Sequence, residues 1–405
     1  MTKTENWQGQ ELELEIERVA HGGIFVARHE GRVVFVSHTA PGERVRARVF
    51  EDRGGSFARA ETIEVLDPSA HRVKHFWKEA ERDGAGGAEF GHLELSYQRE
   101  LKSAVLEEAL SRFAGINSGG EVRSIAGDDL TAGLHYRTRI QLHVSEAGVA
   151  GPYRERSHEV VAVKSLPLAV EEINELGIHL KNWQDVKKIE ISASSTGGLQ
   201  YSIDKKVKGD KKLTERALGR SFRISSGGFW QVHKGAAEVL GSEVVRMANE
   251  LDLDPDANNL DLYGGVGLFS GALATKYGKT LNITSVESSK VATSDAAANL
   301  VDLAKHRAVA APVEGFLRQQ VKSGVSLSGA TVVLDPPRAG AGKTVIDSLV
   351  SQGPKGIIYV ACDPMSLARD LKFLTASGYS LREISSFDLF PNTHHFETIA
   401  SLVLS

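Results

Sequence analysis

The chain has 405 residues, 41% of them hydrophobic and 25% charged, a globular composition with room for two or three domains. It holds no run of about 18 apolar residues that could span a membrane. Its single cysteine, Cys362, rules out an internal disulfide and any four-cysteine zinc or iron–sulfur site. The formal charge of −4 is a poor match to nucleic acid, yet residues 181–223 hold 11 Lys or Arg against 5 Asp or Glu.

In chain order, the polar segment Met1–Gln10 lacks the apolar core of a signal peptide, so the expected location is cytoplasmic. Residues 11–66 read as short strands: Glu11–Val19, Ile24–Ala27, Arg32–Val36 and Val45–Phe50, with turns at Gly22-Gly23 and Pro41-Gly42. That spacing predicts a small β-barrel, with a boundary near Pro68-Ser69. Residues 69–92 are irregular and glycine-rich. Leu101, Val105, Leu106, Leu110 and Phe113 share one face of a predicted helix over Tyr97–Phe113. From about 122 to 228 the pattern is β-rich, clearest in the alternation of Tyr136–Val144. Lys205, Lys206, Lys208, Lys211 and Lys212 fall here, either as a solvated hairpin or as a surface that tracks phosphates.

From residue 229 helices alternate with short apolar strands at Asn259–Tyr263, Leu281–Val286, Thr331–Leu334, Gly356–Ala361 and Thr398–Leu404. Such alternation predicts an α/β unit with a mostly parallel sheet. The expected organisation is a barrel over 1–68, a β-rich central region over 69–228 whose helix can pack on the next unit, and a Rossmann-type domain over 229–405.

The first of these strands ends in Asp261-Leu262-Tyr263-Gly264-Gly265-Val266-Gly267, and a helix stopping near Gly278 follows. A strand, a glycine turn and a helix let the backbone approach a nucleotide-like ligand. The spacing is closer to Rossmann-type methyltransferases than to dinucleotide folds. The second strand ends at Glu287, 26 residues after Asp261, where a carboxylate can accept from both ribose hydroxyls. Both features also have plain structural explanations. Together they favour an adenosyl ligand without a diphosphate.

Thr331–Leu334 runs into Asp335-Pro336-Pro337-Arg338, a stiff loop at a strand's carboxyl end. An aromatic after the prolines would suggest amino methylation; Arg338 and Ala339 argue against it. Gly356–Ala361 runs into Cys362-Asp363-Pro364, with Asp363 a good N-cap and Pro364 a good first helical residue. Cys362 therefore sits at a helix N-terminus, where the dipole is expected to favour a thiolate. A thiolate beside a methyl-donor pocket has a use: added to carbon 6 of uracil, it makes carbon 5 nucleophilic. A base must then remove the carbon-5 proton, and Glu397, just before the last strand, is the expected carboxylate, with His395 an orienting neighbour.

These residues resemble the TrmA-type RNA 5-methyluridine methyltransferases over nearly the whole chain. Residues 11–67 resemble a TRAM domain, an OB-like RNA-binding barrel, through Gly31–Val36 and Pro41-Gly42-Glu43. Gly228-Phe229-Trp230-Gln231-Val232 resembles the family's Phe-x-Gln-Val segment. The resemblance implies S-adenosylmethionine as cofactor, held by Gln231, Tyr263, Glu287 and Asp335. It implies Cys362 as nucleophile and Glu397 as base. It also implies a tRNA or rRNA loop as substrate, and the enzyme is expected to act as a monomer.

There are departures from the family pattern. Ala85 and Ala88 stand where many members place iron–sulfur ligands, so no cluster is expected. Gly264 replaces a usual Cys, Leu268 a usual polar Asn, and His233 an Asn after Gln-Val. Two alternatives stay open: an RNA cytosine-5 methyltransferase, whose members commonly carry two cysteines, and a non-catalytic RNA-binding protein on a methyltransferase scaffold.

Overall fold

The computed structural model describes residues 6–81, 84–117 and 119–405, so half of the polar segment Met1–Gln10 lies outside the described residues. Alternation in β1 (Glu11–Ala20) buries Leu12, Leu14, Ile16 and Val19. With β2 (Ile24–His29), β3 (Arg32–Ser37), β4 (Arg44–Asp52) and β5 (Phe57–Asp67), it closes a barrel ordered β1-β2-β3-β5-β4. Closure leaves no open sheet edge. The fifth strand is not among the four expected from sequence, because its inner face is made of Ala58, Ala60 and Thr62, small residues that alternate only weakly.

Helix α1 (Leu95–Ala109) follows and ends in a π turn, Leu110–Ala114, stopped by Gly115 at φ 69°. The turn rotates the helix face, so Phe113 of the predicted stripe is exposed while Leu101, Leu106 and Leu110 are buried. Gln98 and Lys102 share that buried face. Lys102 Nζ lies 2.5 Å from Asp388 Oδ1 and donates to the Phe390 carbonyl at 3.2 Å, with neither side chain in contact with water. After α1 comes β6 (Val122–Arg123).

The central region forms β7 (Arg139–Val144), β8 (Ala150–Gly151), the short α2 (Glu171–Glu175), β9 (Lys188–Ala193), β10 (Leu199–Ile203) and β11 (Lys206–Gly209). Its sheet runs β11-β10-β9-β7-β8, beside a hairpin of β12 (Lys212–Ala217) and β13 (Arg220–Ser225).

The last unit strings together α3 (Ala236–Glu250), β14 (Asn259–Leu262), α4 (Leu268–Tyr277), β15 (Ile283–Glu287), α5 (Lys290–Asn299), β16 (His306–Ala310) and α6 (Val313–Lys322). It continues through β17 (Thr331–Leu334), α7 (Gly342–Val350), β18 (Gly356–Ala361), α8 (Pro364–Ala376), β19 (Tyr379–Phe387) and β20 (Glu397–Leu404). The sheet order is β16-β15-β14-β17-β18-β20-β19-β6. The first five strands are parallel, and β20 is inserted antiparallel between β18 and β19. Every residue of β17 and β18 is buried, as helices on both faces require. Among the described residues no helix is long and apolar enough to cross a membrane.

Part of the basic stretch 181–223 is structural. Lys212 Nζ meets Asp295 Oδ1 at 2.9 Å and Arg220 meets Asp302 at 2.5 Å, pinning the β12–β13 hairpin to α5 and the turn after it. Lys206, Lys208 and Lys211 remain exposed and form no ion pair among the described residues.

The Lys102–Asp388 pair joins α1 to the loop after β19 out of reach of water. Removing one partner strands a buried charge, so Lys102→Met should cost about 3–5 kcal/mol in a denaturant titration. A loss below about 1 kcal/mol, the range of an exposed pair, would show that water reaches the site.

Candidate active site

Strand order in the parallel sheet reverses beside β14, and ligands of such sheets sit at the carboxyl ends of the strands there. The turn leaving β14 has Tyr263 at φ 64° and Gly267 at φ 92°. The φ of Gly267 favours glycine, and a Cβ there would also lie 2.7 Å from Leu300 Cδ1. Tyr263, without that freedom, is held in a costly left-handed conformation. Asp261 is fully buried; its Oδ2 accepts from Ser270 N–H at 2.9 Å and Ser270 Oγ–H at 2.6 Å, tying the turn to α4. Its Oδ1 has no partner.

Gln231, Tyr263 and Asp335 line one cavity together with Trp230, Gly264 and Leu268. Glu287 does not reach that wall. It ends β15, next to β14, where its Oε1 accepts from Ser289 N–H at 2.7 Å and Ser288 Oγ–H at 3.0 Å. No described residue donates to its Oε2. Burial and the neighbouring Asp261 push the Asp335 carboxyl up to about 7. Burial also lifts Asp261, to about 6.

Cys362 follows β18 directly, and Asp363 caps α8, its Oδ1 accepting from Ser366 N–H at 2.8 Å. The position matches the sequence expectation, but the expected thiolate does not hold. Burial, then the nearby Glu397 carboxylate, push the Cys362 thiol up to about 12. Arg338 acts the other way and is outweighed. The helix N-terminus spends its amides on the Asp363 carboxylate, and that charge adds to those facing the sulfur.

Pairing of β18 with β20 sets Ala361 opposite Thr398, so the next step along both chains brings Cys362 and Glu397 together. Glu397 is buried, and burial with the Asp335 charge raises its carboxyl well above the usual range. Cys362 itself lines a cavity with Arg338, His395 and Phe396. Burial and His394 lower His395 to about 3, so its ring is neutral; Arg338 Nη2 lies 3.3 Å from its Nε2. That suits an orienting residue.

Several site residues carry no signal in the sequence, because their partners are distant in the chain. His233 Nε2 meets the Asp128 carboxylate at 3.1 Å, its Nδ1 accepts from Gly235 N–H at 3.0 Å, and its ring stacks on Tyr136. Glu89 accepts from His394 N–H at 2.9 Å and pairs with His394 Nδ1. Glu89, His394 and His395 bring three possible metal-ligand atoms within 4.8 Å of one another, but the Arg338 guanidinium beside them repels a cation. Ala85 and Ala88 are buried in an apolar cluster with Trp77, Leu166 and Leu168.

A thiol held at about 12 makes a direct expectation. Labelling of Cys362 by iodoacetamide should speed up about tenfold per pH unit between about pH 7 and about pH 10, without levelling off. A plateau near about pH 8.5, the ordinary cysteine range, would contradict it.

Residues 220–404 match the family model of tRNA (uracil-5-)-methyltransferases, and residues 6–63 match that of the TRAM domain. An uncharacterized RNA methyltransferase of Streptomyces avermitilis is 40% identical over 97% of this chain and 98% of its own length. Another, of Bifidobacterium longum, is 35% identical over 96% of both. Among solved structures, the Pyrococcus abyssi tRNA (uracil-54, C5)-methyltransferase in complex with S-adenosyl-L-homocysteine shares the fold at a TM-score of 0.70. It is 23% identical, covering 96% of this chain and 99% of that one. With a TRAM barrel, a methyltransferase sheet and relatives alike from end to end, this chain belongs to the S-adenosylmethionine-dependent RNA uracil-C5 methyltransferases.

Proposed function

We propose that this protein methylates carbon 5 of a uridine in a tRNA or ribosomal RNA loop, in the cytoplasm and as a monomer, through a covalent bond between Cys362 Sγ and carbon 6 of the base. The observation that carries the reading is the meeting of Cys362 and Glu397 across β18 and β20, at the sheet edge that also bears the glycine turn. The unpaired buried Oδ1 of Asp261 and the cavity of Gln231, Tyr263 and Asp335 fit an adenosyl sulfonium, with Glu287 Oε2 open to the ribose hydroxyls. Bound there, S-adenosylmethionine supplies an electrophilic methyl group. The apolar packing of Ala85 and Ala88 supports a protein without an iron–sulfur cluster. The exposed Lys206, Lys208 and Lys211 and the TRAM barrel supply surfaces for an RNA backbone.

The residues divide the reaction. Cys362 loses its proton to water at the mouth of the cavity it lines, and its sulfur bonds to carbon 6, while the carbon 5–carbon 6 electron pair moves toward the carbon-4 oxygen. Carbon 5 then takes the methyl group. Glu397 removes the proton that carbon 5 still carries, the double bond re-forms, and the thiolate leaves carbon 6. A carboxylate raised as far as Glu397 is a strong base once ionised. Arg338 stands in the same cavity as the sulfur, a cation within reach of the charge that gathers on the ring. The target base must leave its stack to enter this cavity, which favours a looped uridine.

The two key residues should fail differently. Cys362→Ala should abolish methylation and leave cofactor binding nearly intact, since the thiol meets the base. Glu397→Gln should permit attack and methyl transfer, then stall as a protein–RNA adduct that survives denaturation in a gel. Normal turnover by Cys362→Ala would refute the covalent route, whereas normal turnover by Glu397→Gln would remove only the base assignment.

A further inference from the structure

The cavity that holds Cys362 is not built by the methyltransferase unit alone. It is lined by the turn between β1 and β2 of the barrel, residues Ala20 to Gly23, together with Cys362, Asp363 and Pro364. His21 Nε2 lies 2.8 Å from Asp363 Oδ2. The other oxygen of that carboxylate caps α8, so one Asp363 side chain is held from two sides, by the helix and by the barrel.

The next residues of the turn are fitted as tightly. Gly23 has φ 72°, and a Cβ there would stand 2.9 Å from His394 Cβ. His394 is fixed in turn by Glu89. A barrel that served only to carry RNA would need neither a glycine seated against the site's histidine nor a hydrogen bond to the residue beside the nucleophile.

We propose that the β1–β2 turn is a wall of the uridine pocket and that His21 is a positioning residue, holding Asp363 and through it the Cys362 sulfur in line with carbon 6. This rests on the uridine-methylating reading above. His21 is nearly half exposed, so its bond to Asp363 adds little to global stability. Its effect belongs to the geometry of attack: the Asp363 carboxylate, which the bond to His21 helps keep ionised, stays engaged by both the helix and the barrel.

The test uses the full-length enzyme and a stem-loop RNA carrying 5-fluorouridine at the methylated position, which traps the adduct because fluorine replaces the removable proton. The rate of adduct formation at saturating RNA and cofactor is measured for wild type, His21→Leu, His21→Gln and Gly23→Ala. His21→Leu should slow attack by about ten- to a hundredfold, the scale of a small misplacement of reacting groups. RNA affinity, cofactor affinity and the unfolding midpoint should stay at wild-type values. His21→Gln, which keeps a donor near the Nε2 position, should restore most of the rate. Gly23→Ala, which pushes the turn off His394, should slow attack as His21→Leu does.

Two results would overturn the proposal: a wild-type attack rate in His21→Leu at saturation, or a loss confined to RNA affinity, which would make the turn an RNA contact only. Failure of the wild-type enzyme to trap any uridine RNA would instead strike the uridine-methylating reading itself.

Discussion

Negative charge is crowded at the carboxyl edge of the parallel sheet, and the chemistry depends on how it is managed. Asp261, Asp335 and Glu397 are drawn together by the chain's own topology: Asp261 lies near the end of parallel strand β14, Asp335 follows parallel strand β17, and Glu397 opens the antiparallel strand inserted beside β18. Burial raises the hold of each on a proton, and the Asp261 charge adds to the effect at Asp335, as the Asp335 charge does at Glu397. The Cys362 thiol shares that field and also stays protonated at rest. Such an edge is poorly disposed toward an anion and well disposed toward a sulfonium cation, whose charge would favour the ionised carboxylates.

The edge is enclosed by parts of the chain far from it in sequence. Lys102 of α1 is locked to Asp388, two strands of distant origin meet where β6 lies along β19, and Lys212 and Arg220 bind the central hairpin to α5 and the turn after it. The barrel reaches the same place through His21 and Gly23. The units are therefore joined at the site itself, so disturbing their packing disturbs the pocket.

Much of this was legible from sequence where one local rule sufficed. β17 and β18 read as continuous apolar runs because helices cover both faces, and Cys362-Asp363-Pro364 read as a strand-to-helix junction because capping is a local matter. Gln231, Tyr263 and Asp335 were placed by their motifs and share a cavity. What escaped depends on distant neighbours. β16 is an edge strand with no buried residue, β19 carries Arg382 and Glu383 in its middle, and β6 is two residues long. Asp128 gives no sign that it will meet His233, and the basic stretch gives no sign that some of its charges are spoken for. The thiol was misjudged for the same reason: the helix N-terminus is visible in the sequence, the carboxylates facing the sulfur are not.

The central claim is that this site makes 5-methyluridine with Cys362 as nucleophile. It is tested most directly by nucleoside mass spectrometry of tRNA and ribosomal RNA from cells lacking the gene, complemented with wild type or with Cys362→Ala. The account predicts that 5-methyluridine disappears from one RNA position in the deletion strain and returns with wild type but not with Cys362→Ala. Unchanged 5-methyluridine in the deletion strain, or its full return with Cys362→Ala, would contradict it.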